Sequence, residues 1–382
     1  MTLQLAPEIP DAARWLRDPL EEYRPGDFLI TGRSGTILGR GNQRFQSTAS
    51  ERGTLRKVLD GGTSLLGGVL PFTPGEPGHF LLMESTLRGP QLTGRSTHPA
   101  LGSIDAPALE RKTSEAHFKA AVSKALTRFT PEGLQKVVLA RSQRARLVQP
   151  LDLAGLLVRL LQQNPTAYTF AAPLPEGRTL VGASPELLIR RSGNYALSNP
   201  LAGSVPLTGD EGIDRENARQ LLDSAKDLRE HAIVVDMVAE VLDGFCTGLD
   251  VPARPELIRT GSMMHLSTKI QGRLRDTDTS ALDLAFALHP TPAVCGWPTD
   301  AASELIKELE DGDRGYYAGA AGWTDASGDG EWVVSIRCAE IGDQDLRIHA
   351  GAGIVPGSDP DLEFAETEAK FRTILRGMGL GA

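Results

Sequence analysis

The chain has 382 residues, 40% of them apolar and 23% charged, with a formal net charge of −9. This is the composition of a globular chain with a large core, in one big domain or two ordinary ones. The acidic balance argues against nonspecific binding to nucleic acid or to an anionic membrane, which needs a net basic surface, but leaves open an anionic small molecule that senses only its own pocket.

Residues 1–110 hold short strand-like runs at Phe28–Thr31 and His79–Met83 between glycine-rich turns, which predict sheet carrying little chemistry. Positions 1–23 have no basic start followed by an apolar run, and no later stretch is long and apolar enough to cross a bilayer, so a cytoplasmic chain is expected. Glu84–Pro107 is polar, with Gly, Ser, Thr and Pro, and reads as a loop joining two halves of one fold. A helix over Ser114–Arg128 leads into Lys136-Val137-Val138-Leu139-Ala140-Arg141, whose β-branched centre predicts a strand beginning at Lys136. Leu153, Leu156, Leu157, Leu160 and Leu161 mark an amphipathic helix over 151–163 that ends near Asn164-Pro165. Strands follow at Tyr168–Ala171 and Leu187–Arg190, and then a turn-like segment, PLAGS, at Pro200–Ser204.

Asp214–Leu242 reads as one long helix, with Leu221, Leu222, Leu228, Val235, Val238 and Leu242 as its buried stripe and Lys226 one turn from Glu230. Met264–Gly272 reads as a strand carrying His265, and Ser280–Leu288 as a short helix stopped by HPTPAVCGWP, whose prolines force a shaped loop. After a helix over 301–310, three strands are expected at Tyr316–Trp323, Trp332–Ile341 and Leu346–Ala350. The terminal stretch AGAGIVPGSDPDLEFAETEAK places a glycine-rich turn before a helix capped at Ser358 or Asp359, with Pro360 in its first turn and Phe364, Phe371, Ile374 and Leu375 on its buried side. Glu363, Glu366 and Lys370 fall at i, i+3 and i+7 and share one face. Gly351, Gly353 and Gly357 permit close backbone approach and positive φ, which suggests a ligand at that helix start. On helix statistics alone, a solvated face with Glu366 and Lys370 paired at i, i+4 is the favoured reading, and the glycine run is what shifts it toward a ligand.

Several signatures are missing: GxxxxGK[ST], HExxH, paired CxxC and GxSxG, the usual markers of nucleotide hydrolysis, zinc proteolysis and esterase chemistry. Cys246, Cys295 and Cys338 are far apart and odd in number, which supports neither a disulfide framework nor a zinc site and fits a reducing compartment. What remains is a scatter of acids and bases at strand ends and in loops: Lys136, Glu186, Glu230, His265, Arg337, Glu363, Glu366 and Lys370.

With their neighbours these residues resemble the chorismate-utilising (anthranilate synthase component I-like) enzyme family, and within it the isochorismate synthases. The likeness runs from about Lys119 to the C-terminus through KVVLAR, GASPELLI, PLAGS, AKDLREH, HLST, HPTPAVCG, DGEWVVSIRCAE, AGAGIV and ETEAK, in the family's order. It implies one chorismate-binding domain over 1–382, with a variable half over 1–110 and a catalytic core over 111–382. The implied fold is α/β (α+β): two stacked, mostly antiparallel sheets flanked by helices, with the active site between them and Mg²⁺ as cofactor. By the resemblance Glu230 and Glu366 would bind the metal, with Glu363 beside them through ordered water; carboxylates suit Mg²⁺, a hard ion that keeps several waters. Read alone, Glu230 would pair with Lys226 instead.

The substrate is a dianion. The resemblance assigns one of its carboxylates to Arg337 and Lys370 and the other to the metal, with backbone amides of the Gly351–Gly353 turn assisting. A guanidinium fork suits a bidentate carboxylate, although a strand-surface pair of Arg337 with Glu340 or Glu331 is the alternative. The implied reaction adds water at C2 of the ring as the C4 hydroxyl departs, with Lys136 as the base activating water and Glu186 as the acid protonating the leaving hydroxyl. Each role demands a displaced pKa, since free lysine titrates near ~10.4 and free glutamate near ~4.3, and burial moves both in the needed direction. A lysine starting a strand is otherwise a surface charge, and His265, implied to sit near the reacting hydroxyl or a metal-bound water, is otherwise a structural residue.

Among the family's chemistries, aminodeoxychorismate synthases carry a lysine where PLAGS has Ala202, followed by Gly203, so a covalent amine intermediate is not expected. Ammonia-using anthranilate synthases differ at HPTPAVCG and lack the lysine matching Lys136. Water is therefore the expected nucleophile and no amidotransferase subunit is implied; a monomer is expected. A salicylate synthase, which goes on to eliminate pyruvate, is the nearest competitor, and the small Ala293 matches the enzymes that stop at isochorismate. A ligand sensor without activity would need neither Lys136 nor Glu186. Many relatives carry arginines after PLAGS where this chain has Val205, Pro206 and Leu207, which bears on affinity or loop order rather than on the reaction.

Overall fold

The fold is that of a computed structural model, which describes residues 18–59, 64–102, 110–111, 113–130 and 132–379. Most of the opening 23 residues, and the end of the Glu84–Pro107 segment, lie outside those residues.

Two large sheets dominate, and a small one completes the site. The first runs in the order Gly296–Trp297, Lys136–Arg146, Asp345–Ile354, Cys338–Ile341, Thr179–Ser184, Tyr168–Pro173, Phe28–Gly32, Gly35–Arg40, Ser85–Gly89, with Glu110–Arg111 paired to Lys136–Arg146. The second runs Cys246–Asp250, Ile270–Leu274, Tyr195–Asn199, Leu187–Ser192, Gly330–Val334, Ala320–Asp325, Leu65–Leu70, Gly78–Met83, Arg44–Ser47. Leu201–Pro206, Met263–Ser267 and Glu256–Arg259 form the third. Their pairings are antiparallel, as expected.

Period-two alternation builds two cores. In Phe28–Gly32, Phe28 and Ile30 join Leu65, Val69, Phe170 and Trp332 in the core shared by both large sheets, while Leu29 turns to the opposite face. There it meets Leu156 and Leu157 of the helix Leu153–Gln163, and the same cluster takes in Phe371 and Ile374 of the terminal helix. With both faces covered, this strand is buried at every position.

Six expectations about elements are corrected. The polar Glu84–Pro107 segment contains a strand, Ser85–Gly89, because its backbone completes the edge beside Gly35–Arg40. PLAGS is strand, part of Leu201–Pro206, with Gly203 at φ +74° where the register shifts. The single helix of Asp214–Leu242 is two, Glu211–Asp223 and Ala225–Phe245, broken at Ser224, whose side chain caps the second through Asp227 N. Met264–Gly272 divides into Met263–Ser267 and Ile270–Leu274, in different sheets. Trp332–Ile341 divides likewise, Gly330–Val334 and Cys338–Ile341 belonging to the two large sheets. Finally, Gly351 and Gly353 lie within the strand Asp345–Ile354 rather than in a turn, and of the three glycines only Gly357 has positive φ. The terminal helix, Pro360–Gly377, is capped by Asp359, while Ser358 accepts from Val355 N instead.

Candidate active site

The site forms where the chain twice crosses between the large sheets. One crossing, Pro185-Glu186, joins Thr179–Ser184 to Leu187–Ser192; the other, Ser335–Arg337, joins Gly330–Val334 to Cys338–Ile341. The crossings lie side by side, since Val334 N donates to Glu186 O at 3.1 Å and Ala183 N donates to Arg337 O at 3.1 Å. Arg337 takes φ +53° there, a left-handed conformation uncommon for a side chain of this size. Its guanidinium donates to Met263 Sδ at 3.1 Å. The two acids offered as surface partners are committed elsewhere, Glu340 to Arg178 and Glu331 to Arg190.

Lys136 begins its strand at 0% exposure, which removes the surface-charge alternative. Its Nζ stands 3.0 Å from Glu230 Oε1, yet no acceptor meets hydrogen-bond geometry. Gly353 makes this approach possible: a Cβ there would stand 2.1 Å from Glu230 Oε1 and 3.1 Å from Lys136 Cε. Glu186 is 2% exposed, and Leu201 N donates to its Oε1 at 3.4 Å. Burial pushes this carboxyl up to about 7, against the opposing pull of the Leu201 amide and of the Lys136, Arg337 and Lys370 charges. His265 is buried; desolvation first, then the charges of Arg337 and Lys370, hold its pKa well below the ordinary value, so the imidazole is neutral at pH 7.

Lysines accompany the three candidate metal acids. Glu230 faces Lys136, Glu363 receives Lys226 Nζ at 2.8 Å, and Glu366 pairs with Lys370 at 2.5 Å. Lys226 therefore reaches across to the terminal helix rather than back to Glu230 on its own. The Glu366–Lys370 pair does form, but Lys370 also donates to Gly351 O at 2.8 Å, which turns the pair inward against the Asp345–Ile354 strand. Burial alone would raise the Glu366 carboxyl, but the Lys370 ion pair outweighs it, with Lys226 and Arg337 adding to the pull, and the group sits below the ordinary range. Burial, then the neighbouring Glu366 charge, raises Glu363.

Sequence reasoning passed over three groups. Asp227 is raised by burial and then by the Glu230 and Glu366 charges, so it faces the same cluster; its i, i+3 spacing to Glu230 was the available signal. Gly203 accommodates it, as a Cβ there would lie 3.1 Å from Asp227 Cβ. His231 bonds Thr268 Oγ1 at 2.7 Å and is brought down to about 4 by burial and then by the Lys136 charge. The Tyr317 hydroxyl would be 3.1 Å from a Cβ at Gly351 and interacts with the Arg337 charge. Ala202, by contrast, is buried in the main core, and Ala293 packs at that core's margin in the loop after the helix Ala281–Leu288.

The donor chemistry suits a hard divalent cation: Glu230, Glu366, Glu363 and Asp227 supply carboxylate oxygens from two facing helices. Among the described residues, no three His, Cys, Asp or Glu side chains stand close enough to enclose an ion; each of Glu230, Glu363 and Glu366 stands against a lysine.

A buried lysine, an enclosed carboxyl raised by burial, two inward cations and a row of carboxylates thus lie together at the crossings. The family described as chorismate binding enzyme matches residues 89–379, and the chain belongs to it. Isochorismate synthase DhbC of Bacillus subtilis is 42% identical over 94% of this chain and 96% of its own. The vibriobactin-specific isochorismate synthase of Vibrio cholerae is 44% identical over 83% of this chain and 80% of its own. The crystal structure of DhbC from Bacillus anthracis matches with a TM-score of 0.89 at 38% identity, covering 95% of this chain and 99% of that one. Anthranilate synthase component I of Streptococcus pneumoniae, at 22% identity and a TM-score of 0.72, shares the fold.

Proposed function

We propose that the protein is an isochorismate synthase, an isomerase that interconverts chorismate and isochorismate with Mg²⁺ as cofactor. The observation that carries the reading is Glu186: a fully enclosed carboxyl titrating near 7, within the fields of Lys136, Arg337 and Lys370. A carboxyl raised this far by burial keeps its proton to higher pH than a free one and can donate to a leaving hydroxyl. Lys136, buried and without a hydrogen-bond acceptor in good geometry, is the base that takes a proton from the attacking water. Arg337 and Lys370 hold one substrate carboxylate, with the Tyr317 hydroxyl beside Arg337.

Glu230 and Glu366 would hold Mg²⁺, with Glu363 and Asp227 alongside. When bound, the ion would neutralise the second carboxylate of the dianion and so permit its entry among acids. The strand placement of Gly351 and Gly353 leaves Lys370 on the Gly351 carbonyl, so the anion contacts expected of a glycine turn pass to the cationic side chains. His265 is a neutral hydrogen-bonding group near Arg337 and Lys370, Ala202 supplies no amine for a covalent intermediate, Gly203 leaves room for Asp227, and Ala293 matches the enzymes that stop at isochorismate. With water as the nucleophile no amidotransferase subunit is called for, and we expect a monomer. No described helix is long and apolar enough to cross a membrane, and we place the protein in the cytoplasm. The names of the relatives, among them a vibriobactin-specific enzyme, support a place in siderophore biosynthesis.

The test is incubation of the purified protein with chorismate and Mg²⁺, with the products separated by chromatography. Isochorismate alone is expected, and only while Mg²⁺ is present. Salicylate with pyruvate, an ammonium-dependent amine product, or no turnover would each overturn the assignment.

A further inference from the structure

Five residues after Lys136 on the same strand, Arg141 is 2% exposed. A buried guanidinium costs several kcal/mol to desolvate unless it is well matched, so its surroundings carry information. Its Nε donates to Thr367 Oγ1 at 2.7 Å, and its terminal nitrogen pairs with Glu368. Three rings enclose it: the guanidinium carbon lies 4.1 Å from the Phe364 centroid, 5.0 Å from Phe371 and 5.8 Å from Phe118. Phe118 belongs to the helix Glu115–Leu126, so one side chain ties two helices to the first sheet.

The positions matter more than the number of contacts. Phe364, Thr367, Glu368 and Phe371 span two turns of the terminal helix, interleaved with Glu363, Glu366 and Lys370. One cation thus fixes how far the helix slides and how it is rotated, since a one-residue slip turns a helix by about 100° and a one-turn slip moves it by about 5.4 Å. The Arg141 backbone pairs with Ala350, next to the Gly351 carbonyl that Lys370 grips. The contacts close a loop from the Lys136 strand to the terminal helix and back.

The geometry points to Arg141 as a positioning residue that sets the register of the terminal helix, and through it the approach of Glu366 and Glu363 to Glu230. This rests on the metal assignment made above. An apolar side chain could fill the same space between the three rings, but it would not read the Thr367 and Glu368 positions, which takes a planar donor fork.

The test uses Arg141→Gln, Arg141→Lys and Thr367→Val in the full chain. Mn²⁺ binding is measured from loss of the free-ion electron paramagnetic resonance signal, beside the Mg²⁺ concentration giving half-maximal turnover. Arg141→Gln should weaken Mn²⁺ binding and raise the Mg²⁺ requirement about 10–100-fold, as the loss of a group orienting metal ligands does. Arg141→Lys should recover part of this, and the alkaline limb of the pH profile set by Glu186 should not move. A folded Arg141→Gln variant within twofold of the parent on both measures overturns the inference. So does a loss of turnover with unchanged Mn²⁺ binding. Thr367→Val keeps the cation and rings and removes one acceptor; should Arg141→Gln not fold, parental Mn²⁺ binding in Thr367→Val overturns the inference, and several-fold weaker binding supports it. A parent that binds Mn²⁺ but makes no isochorismate defeats the functional reading without deciding this one.

Discussion

The two halves of the site treat charge in opposite ways. Lys136 and Glu186 come from a strand and a chain crossing, both are almost wholly enclosed, and both are under-bonded: Lys136 Nζ has no acceptor in good geometry and the Glu186 carboxyl accepts a long bond from the Leu201 amide. Glu230, Glu363 and Glu366 come from two helices and stand against Lys136, Lys226 and Lys370. Burial governs Glu186 and lets it titrate near 7, whereas an ion pair governs Glu366 and keeps it ionised. The first arrangement suits groups that exchange protons and the second suits groups that hold charge. Lys136 touches both halves through Glu230, which makes it the place to break the distinction.

Lys136→Ala should have the largest effect, a fall in turnover of about 10³-fold or more if the residue acts as base. Thermal stabilisation by chorismate with Mg²⁺ should persist, because the charge-holding half is left in place. Measurable turnover within tenfold of the parent would remove Lys136 as the base. Glu186→Gln should follow, at about 10²- to 10³-fold, and it carries a second signature in stability. The folded carboxyl titrates near 7 against an ordinary 4.5. Below 4.5 both folded and unfolded chains are protonated; between 4.5 and 7 only the unfolded chain ionises, so stability is lost as pH rises through that window. At ~1.36 kcal/mol per unit the loss comes to about 3 kcal/mol. Glutamine cannot ionise, so the Tm of Glu186→Gln relative to the parent should be higher at pH 8 than at pH 5. A pH-independent difference would show that Glu186 is not held protonated.

Much of this division was legible in the residues, but unevenly. The Lys136 strand, the helix after Ser114 and the terminal helix were readable because periodicity and caps are local properties of sequence. Breaks that depend on partners were not. Nothing in Trp332–Ile341 announces that its halves join different sheets, since both are apolar and the left-handed turn falls on Arg337 rather than on a glycine. Ser224 splits the long helix by capping, although the apolar stripe runs on through it. Pairings fared the same way: i, i+4 spacing suggested Lys226 with Glu230, but the 137-residue separation of Lys226 and Glu363 has no local signal. The candidate residues themselves came from resemblance, and their burial and charge environment came only from the fold.

Arg337→Lys sharpens the comparison from the substrate side. It keeps the charge but loses the planar fork, so KM for chorismate should rise about tenfold or more with a smaller change in kcat. An unchanged KM would place the carboxylate elsewhere.

Gly353→Ala should be the mildest and the most discriminating. The added Cβ meets the end of the Glu230 side chain at 2.1 Å and Lys136 Cε at 3.1 Å. A carboxylate end can swing aside more readily than backbone, so the strand should persist and Tm should change little. What the swing breaks is the 3.0 Å approach of Glu230 to Lys136, a contact that joins the proton-exchanging half to the charge-holding half. Turnover should therefore fall about tenfold and the Mg²⁺ requirement should rise with it, while the Glu186 limb of the pH profile stays near 7. If only kcat fell and the Mg²⁺ requirement held, Glu230 would belong to the proton-exchanging half as a partner of Lys136 and would have to be removed from the metal site.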